Sequence, residues 1–270
     1  MKMTLSEAIR LLKEAEIESA ASEARQIFKS LGGFADYELI GAVSTDKAEV
    51  YEAVRRRASR EPLQYVLGEA YFYRECYKVT PDCLIPRFDT EILVDYAVKH
   101  LPRGATFIDL CCGSGCVGIS TLNNTEDTRC ISVDLSEAAV SLTLENARRI
   151  GVRDRLTTVC ADAMEYVPSI RPTAVLSNPP YVSESAYGAL APEIYHEPKM
   201  AFVGGEDGGD FYRALTPKYR DIIAEDGFIA YEIGYDQSEL IRTVATECRM
   251  SCEIIPDLSG NPRVAVLKRF

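Results

Sequence analysis

The chain has 270 residues, 47% of them apolar and 26% charged, and a chain of this length can bury roughly 75% of its unfolded surface without a disulfide or metal staple. Its formal net charge of −11 disfavours direct nucleic-acid binding, which calls for a Lys/Arg footprint to displace counterions. No apolar run approaches the roughly 20 residues of a membrane span, and the N-terminus MKMTLSEAIRLLKEAE lacks the apolar core of a secretion signal, so a cytoplasmic protein is expected. The nine cysteines are an odd count. With no Cys-x-x-Cys pair and no histidine cluster, they read as reduced thiols, and no metal is expected.

The first 62 residues read as a small helical domain. Thr4-x-x-Glu7 is a capping box, followed by Leu5, Ile9 and Leu12 at helical spacing. Ala24, Ile27, Phe28 and Leu31 form a second stripe that stops at Gly32-Gly33. Asp46-x-x-Glu49 opens a third helix through Val50, Ala53 and Val54, ended before Pro62. Arg55, Arg56, Arg57 and Arg60 read as a solvated helix face. Residues 63–85 read as a hairpin or linker. Residues 86–270 form a third region, in which strands and helices alternate from residue 104. Strands are expected at 106–110, 130–134, 156–160, 173–177, 227–233, 252–256 and 263–268. Helices are expected at 116–122, at 137–150 (capped by Ser136, with Val140, Leu144 and Ala147 on one face, closed by Gly151), and near 212–224 and 236–248. This alternation predicts a doubly wound α/β sheet. The last two strands are too close in sequence for a parallel crossover and should pair antiparallel.

Ligands of open α/β sheets bind beyond the carboxyl ends of the strands, where four loops carry polar or glycine residues. The first is Cys111-Cys112-Gly113-Ser114-Gly115, a strand-to-helix loop that lets a ligand approach the backbone and offers helix N-terminal N–H groups to a carboxylate. With glycines at 113, 115 and 118 it departs from the dinucleotide spacing G-x-G-x-x-G. The second strand ends in Asp134, about 20 residues on, where a carboxylate can accept from both hydroxyls of a ribose. Asp162 and Ala163 follow the third strand, where a short polar residue can take an adenine amino group. Asn178-Pro179-Pro180-Tyr181 follows the fourth and is the most specific signal in the chain. Its two prolines stiffen the loop. Asn178 Oδ1 and the Pro179 carbonyl can accept both N–H bonds of a planar amide or amine, whose lone pair is delocalised and nucleophilically poor. Holding them aims the lone pair and stabilises the positive charge that develops on nitrogen. Tyr181 can pack against the planar group. Together these features point to methyl transfer from S-adenosylmethionine (SAM) to such a nitrogen.

In these motifs the chain resembles the bacterial release factor glutamine methyltransferases, the PrmC/HemK family. The resemblance runs through Arg60-Glu61-Pro62-Leu63-Gln64-Tyr65-Val66-Leu67-Gly68, Leu84-Ile85-Pro86-Arg87-Phe88-Asp89-Thr90-Glu91, the loop 111–115, Asn178–Tyr181, Glu197-Pro198, Gly204–Gly209, Glu232-Ile233-Gly234 and Asp257-Leu258-Ser259-Gly260. It implies a Rossmann-like seven-stranded SAM-dependent methyltransferase sheet with an antiparallel last strand, behind a small N-terminal helical domain that docks substrate. It implies transfer to the side-chain amide of the glutamine in the Gly-Gly-Gln motif of peptide chain release factors, by a monomeric enzyme. Cys111, Cys112, Gly113, Ser114, Gly115, Asp134, Asp162, Ala163 and Asn178 would contact SAM. Asn178, Pro179, Pro180, Tyr181 and Arg87 would hold the substrate. Two positions depart from the family pattern: Cys111-Cys112 stands where Gly-Thr opens the usual loop, and Phe88 replaces a proline. A positive φ at Cys111 would carry strain that glycine avoids. Alternative acceptors for the same site are an amino group of adenine or guanine, which would need a basic groove and base extrusion, and a glutamine of a ribosomal protein. A non-catalytic SAM-binding scaffold is disfavoured by the intact Asn178 and Tyr181.

Overall fold

The computed structural model describes residues 2–270, which fall into two units: residues up to Glu69 together with Ala191–His196, and Ala70–Leu190 together with Glu197–Phe270. In the first unit, strand β1 (Met3–Thr4) leads into helix α1 (Leu5–Glu14), followed by α2 (Ala20–Ile27), β2 (Ser44–Thr45), α3 (Ala48–Ala58) and the short α4 (Leu63–Leu67). Thr4 caps α1 by accepting from the Glu7 N–H, as its spacing predicts. Helix α2 runs through a π turn into Gly33 at φ 81, the expected stop. The third helix starts later than its Asp46-x-x-Glu49 signal. Ser44 and Thr45 pair antiparallel with Thr4 and Met3, so the chain turns into helix only after Lys47, which makes no side-chain cap.

The arginine run is not a uniformly solvated face. Arg55 is exposed, but Arg57 follows Val50, Ala53 and Val54 at helical spacing and is buried with them. Its guanidinium is neutralised by Glu23 at 2.5 Å and Glu193 at 3.2 Å, while Arg60 reaches the other Glu193 oxygen at 2.9 Å. A buried charge needs such partners, and two come from distant parts of the sequence.

The region read as a hairpin or linker contains a hairpin. After α4 comes the hairpin β3 (Glu69–Phe72) and β4 (Glu75–Lys78), and helix α5 (Glu91–His100), not anticipated from the sequence, packs Leu93, Val94 and Ala97 into the core. Then follow β5 (Thr106–Leu110), α6 (Cys116–Asn123), β6 (Arg129–Asp134), α7 (Glu137–Ile150), β7 (Leu156–Cys160), β8 (Ala174–Ser177), the single turn α8 (Glu184–Tyr187), α9 (Asp210–Ile222), β9 (Phe228–Glu232), α10 (Ser238–Glu247), β10 (Met250–Pro256) and β11 (Pro262–Arg269). The seven strands order as β10-β11-β9-β8-β5-β6-β7. β5 to β9 are parallel and β11 is antiparallel to both neighbours, as the short Asp257–Asn261 connection requires.

Every residue of β8 and β9 is buried, because helices cover both faces of the sheet: one apolar cluster gathers side chains of α5 and α6, the other those of α9 and α10. Helix α7 buries Ala139, Leu142, Thr143, Asn146 and Ala147, a face rotated from the expected Val140–Leu144 stripe. Thr143 and Asn146 are drawn inward by hydrogen bonds to the Gly113 and Ser114 carbonyls, at 3.0 and 2.9 Å. Among the described residues, no helix is long and apolar enough to cross a membrane.

Candidate active site

The carboxyl ends of β5, β6, β7 and β8 open into one cavity of about 190 Å³. Of the residues predicted for the site, Arg87, Cys111, Cys112, Gly113, Ser114, Asp134, Asp162, Ala163, Asn178 and Pro180 line it. Gly115, Pro179 and Tyr181 do not: Gly115 adopts φ 82 as N-cap of α6, Pro179 is buried and Tyr181 half-buried behind the wall. Asp82, Cys83, Leu84, Pro86 and Thr90 also form part of the wall, so the end of the stretch read as a hairpin or linker reaches the site.

The loop after β5 is tied to the end of β6. Asp134 accepts from Gly113 N through Oδ2 at 2.8 Å and from Ser136 N through Oδ1 at 3.0 Å, which fixes the carboxylate on the cavity wall. Ser136 caps α7 through Ala139 N. Cys111 does adopt φ 58, a conformation costing a non-glycine residue about 1–2 kcal/mol, and it packs against the second apolar cluster. Burial pushes the thiols of Cys111, Cys112 and Cys116 up, which makes them neutral packing groups. Among the described residues, no cluster of three or more His, Cys, Asp or Glu could hold a metal.

Asp109, on the same strand, is fully buried and accepts from Gly118 N at 3.0 Å. Burial, with Asp134 adding to it, pushes its carboxyl up to about 7 against the pull of the Gly118 N–H. A folded value above the unfolded one contributes stability that is present at acid pH and lost as pH rises toward 7. Replacement Asp109→Asn is therefore expected to flatten the fall in Tm between about pH 4 and 7; thermal melts across that range check it, and an unchanged slope would refute the assignment.

The Asn178–Tyr181 corner is braced from three sides. The Asn178 amide nitrogen donates to Thr90 Oγ1 at 3.2 Å, the Thr90 hydroxyl to Glu232 Oε2 at 2.5 Å, and the Tyr181 hydroxyl to Glu232 Oε1 at 3.1 Å. Gln237 Nε2 donates to the Tyr181 carbonyl at 2.8 Å, while its Oε1 accepts from Tyr212 and Gly234 N. The glycine segment after residue 203 lies against the corner's backbone. A Cβ at Gly204 would sit 2.3 Å from the Pro180 carbonyl oxygen, and one at Gly208 2.1 Å from that of Tyr181. On the cavity wall, Arg87 pairs with Glu197, which also accepts from Ile85 N. Thr90 and Glu232 stand within phrases that carry the family resemblance, but the sequence assigns them no role, and Gln237 carries no sequence signal. The available signal was Glu232 itself, a carboxylate closing the apolar run Phe-Ile-Ala-Tyr.

Comparison with known proteins places these features in a family. Residues 88–205 match the model of the methyltransferase small domain and residues 4–68 that of the PrmC N-terminal domain. A release factor glutamine methyltransferase of Moorella thermoacetica is 30% identical, over 97% of this chain and 96% of its own length. The chain belongs to the release factor glutamine methyltransferase family. A second member, from Geobacter sulfurreducens, is 37% identical over 70% of this chain and 66% of its own. The fold is shared more widely: a solved ribosomal protein L11 methylase from Lactobacillus delbrueckii subsp. bulgaricus superposes with TM-score 0.50 at 16% identity, covering 68% of this chain and 80% of the other. As a member of this family the protein is a SAM-dependent methyltransferase, and its site fits that donor. The glycine loop leaves room at the helix N-terminus for a carboxylate, and Asp134 keeps acceptor capacity on the cavity wall for a diol.

Proposed function

We propose that this protein transfers a methyl group from SAM to the side-chain amide nitrogen of the glutamine in the Gly-Gly-Gln motif of peptide chain release factors. The observation that carries the reading is that a single cavity is lined both by Cys111–Ser114, Asp134 and Asp162 and by Asn178 and Pro180. A donor site and a site for a planar nitrogen thus share one space.

When bound, SAM supplies an electrophilic methyl group on a sulfonium. The loop 111–115 would hold the donor's carboxylate end, Asp134 would accept from its ribose, and Asp162 with Ala163 would border its adenine. Asn178 Oδ1 and the Pro179 carbonyl accept the two N–H bonds of the substrate amide, turning its lone pair toward the donor and stabilising the charge that develops on nitrogen. Tyr181, anchored on Glu232 behind the wall, stiffens the corner. Arg87, held by Glu197, carries positive charge at the cavity wall where the incoming loop passes. No strong base is required, because methyl transfer to the neutral amide nitrogen gives an N-protonated cation that is strongly acidic and releases its proton to water.

The helical region serves as the docking domain for the body of the release factor, and the enzyme acts as a monomer in the cytoplasm without binding nucleic acid directly, in keeping with its acidic charge. Incubation with labelled SAM is expected to mark a release factor only while the Gly-Gly-Gln glutamine is present. Labelling of a Gln→Ala factor, or of nucleic acid alone, would overturn the substrate assignment.

A further inference from the structure

The two ends of an asparagine amide have nearly the same shape and opposite polarity, so something must decide which end of Asn178 meets the substrate. We infer that Glu232, acting through the hydroxyl of Thr90, sets the orientation of the Asn178 amide so that its oxygen is presented for the substrate N–H. This rests on the proposed function and adds two positioning residues to it.

Glu232 is 1% exposed and receives one hydroxyl on each carboxylate oxygen, Thr90 at 2.5 Å and Tyr181 at 3.1 Å. An ionised carboxylate only accepts. Burial pushes the Glu232 carboxyl up, and the Thr90 hydroxyl, the nearby charge of Arg263 and the Tyr181 hydroxyl act against that pull.

Thr90 has a single hydroxyl hydrogen. With that hydrogen given to Glu232, its oxygen has only lone pairs to offer Asn178, and the group facing it at 3.2 Å is accordingly the Asn178 NH₂. The orientation of an amide follows from such a network, and here the network is anchored on a carboxyl group that receives a hydroxyl on each oxygen. Turning the amide over would set Oδ1 against the Thr90 lone pairs and aim an NH₂ donor at the substrate's own NH₂. Both contacts would be repulsive, and the acceptor that aims the nitrogen would be gone. The Thr90–Glu232 pair thus sets the polarity of the substrate-facing atom, joining the segment before α5 to the end of β9 behind the corner.

The test compares Thr90→Val, which keeps the shape and deletes the hydroxyl, with Thr90→Ser, which keeps the hydroxyl, and with Glu232→Gln, which supplies a donor where only an acceptor stood. Two quantities are measured. The first is kcat and KM for the release factor at saturating SAM. The second is hydrogen exchange of the Asn178 side-chain NH₂ by NMR in the ligand-free protein, its signal assigned by its disappearance in Asn178→Asp. Thr90→Val and Glu232→Gln are expected to lower kcat about 10- to 100-fold, as a misaligned contact does, with a smaller change in KM, and to speed exchange of the Asn178 NH₂. Thr90→Ser is expected to recover most of kcat and the slow exchange. Exchange in Thr90→Val as slow as in wild type, or a Thr90→Ser enzyme as impaired as Thr90→Val, would overturn the inference. The Thr90 pair decides the matter if Glu232→Gln does not fold. A wild-type enzyme that leaves the release factor unlabelled would instead overturn the substrate assignment, and the exchange contrast in ligand-free protein would still decide the role of Thr90.

Discussion

Replacing Asn178 by alanine is expected to lower kcat about 10²- to 10³-fold, the cost of removing one preorganised polar contact from a transition state. Affinity for SAM should fall far less. The substitution leaves β8, the Pro179 carbonyl and the glycine loop in place and removes one acceptor from the cavity wall. The amide nitrogen of the substrate would then enter with one N–H unheld, its lone pair free to rotate away from the methyl group. Because the lost contact strengthens as charge develops on nitrogen, the deficit should appear in kcat more than in KM. Steady-state rates with release factor, together with calorimetric titration of SAM, separate the two effects. Unchanged turnover would remove Asn178 from the chemistry.

Substitution Gly208→Ala should be nearly as damaging, through the backbone. Gly208 has φ 79, and its added methyl would stand 2.1 Å from the Tyr181 carbonyl oxygen and 2.7 Å from Gln237 Nε2. These two atoms are hydrogen-bonded to each other at 2.8 Å, so relieving the clash means breaking that bond or moving the corner. The combined cost of overpacking and left-handed strain is about 2–6 kcal/mol. A shift of about 1 Å at the corner would cost roughly 10²-fold in rate even in protein that remains folded. Gly188→Ala is the control: its Cβ meets nothing within 4 Å and φ there is −67, so it should melt and turn over as wild type does. A Gly208→Ala enzyme with wild-type Tm and kcat would show that the glycine segment does not brace the corner.

The sheet was legible in the sequence because its central strands are buried on both faces. Thr106–Leu110 and Ala174–Ser177 are short apolar runs that end in the glycine loop or in Asn-Pro, and such runs have few other ways to fold. The helices were legible as helices but not always in their details. Thr4 caps α1 through purely local geometry, whereas the Asp46 signal lost to a pairing with residues some forty positions away. The α7 face was misjudged because a hydrophobicity pattern cannot anticipate that Thr143 and Asn146 are buried to hold the carbonyls of the glycine loop. Arg57 could have been found, since it continues the apolar spacing of α3. Its partner Glu193 could not.

Within the site, the sequence by itself marked most of the motifs that come to the cavity wall. The glycine loop, Asp134 and Asn178-Pro179-Pro180-Tyr181 each follow a strand, and a parallel sheet brings the ends of its strands to one edge. Their chemistry is local, carried by short motifs whose backbone is set by glycine and proline. What only the tertiary structure decided is how these atoms are aimed. Thr90 reaches Glu232 across 142 positions of sequence, Gln237 reaches Tyr181 across 56, and Gly204 and Gly208 matter for the carbonyls they lie against. Orientation depends on neighbours brought together by packing, and the strand order of the sheet selects those neighbours in a way no window of sequence records.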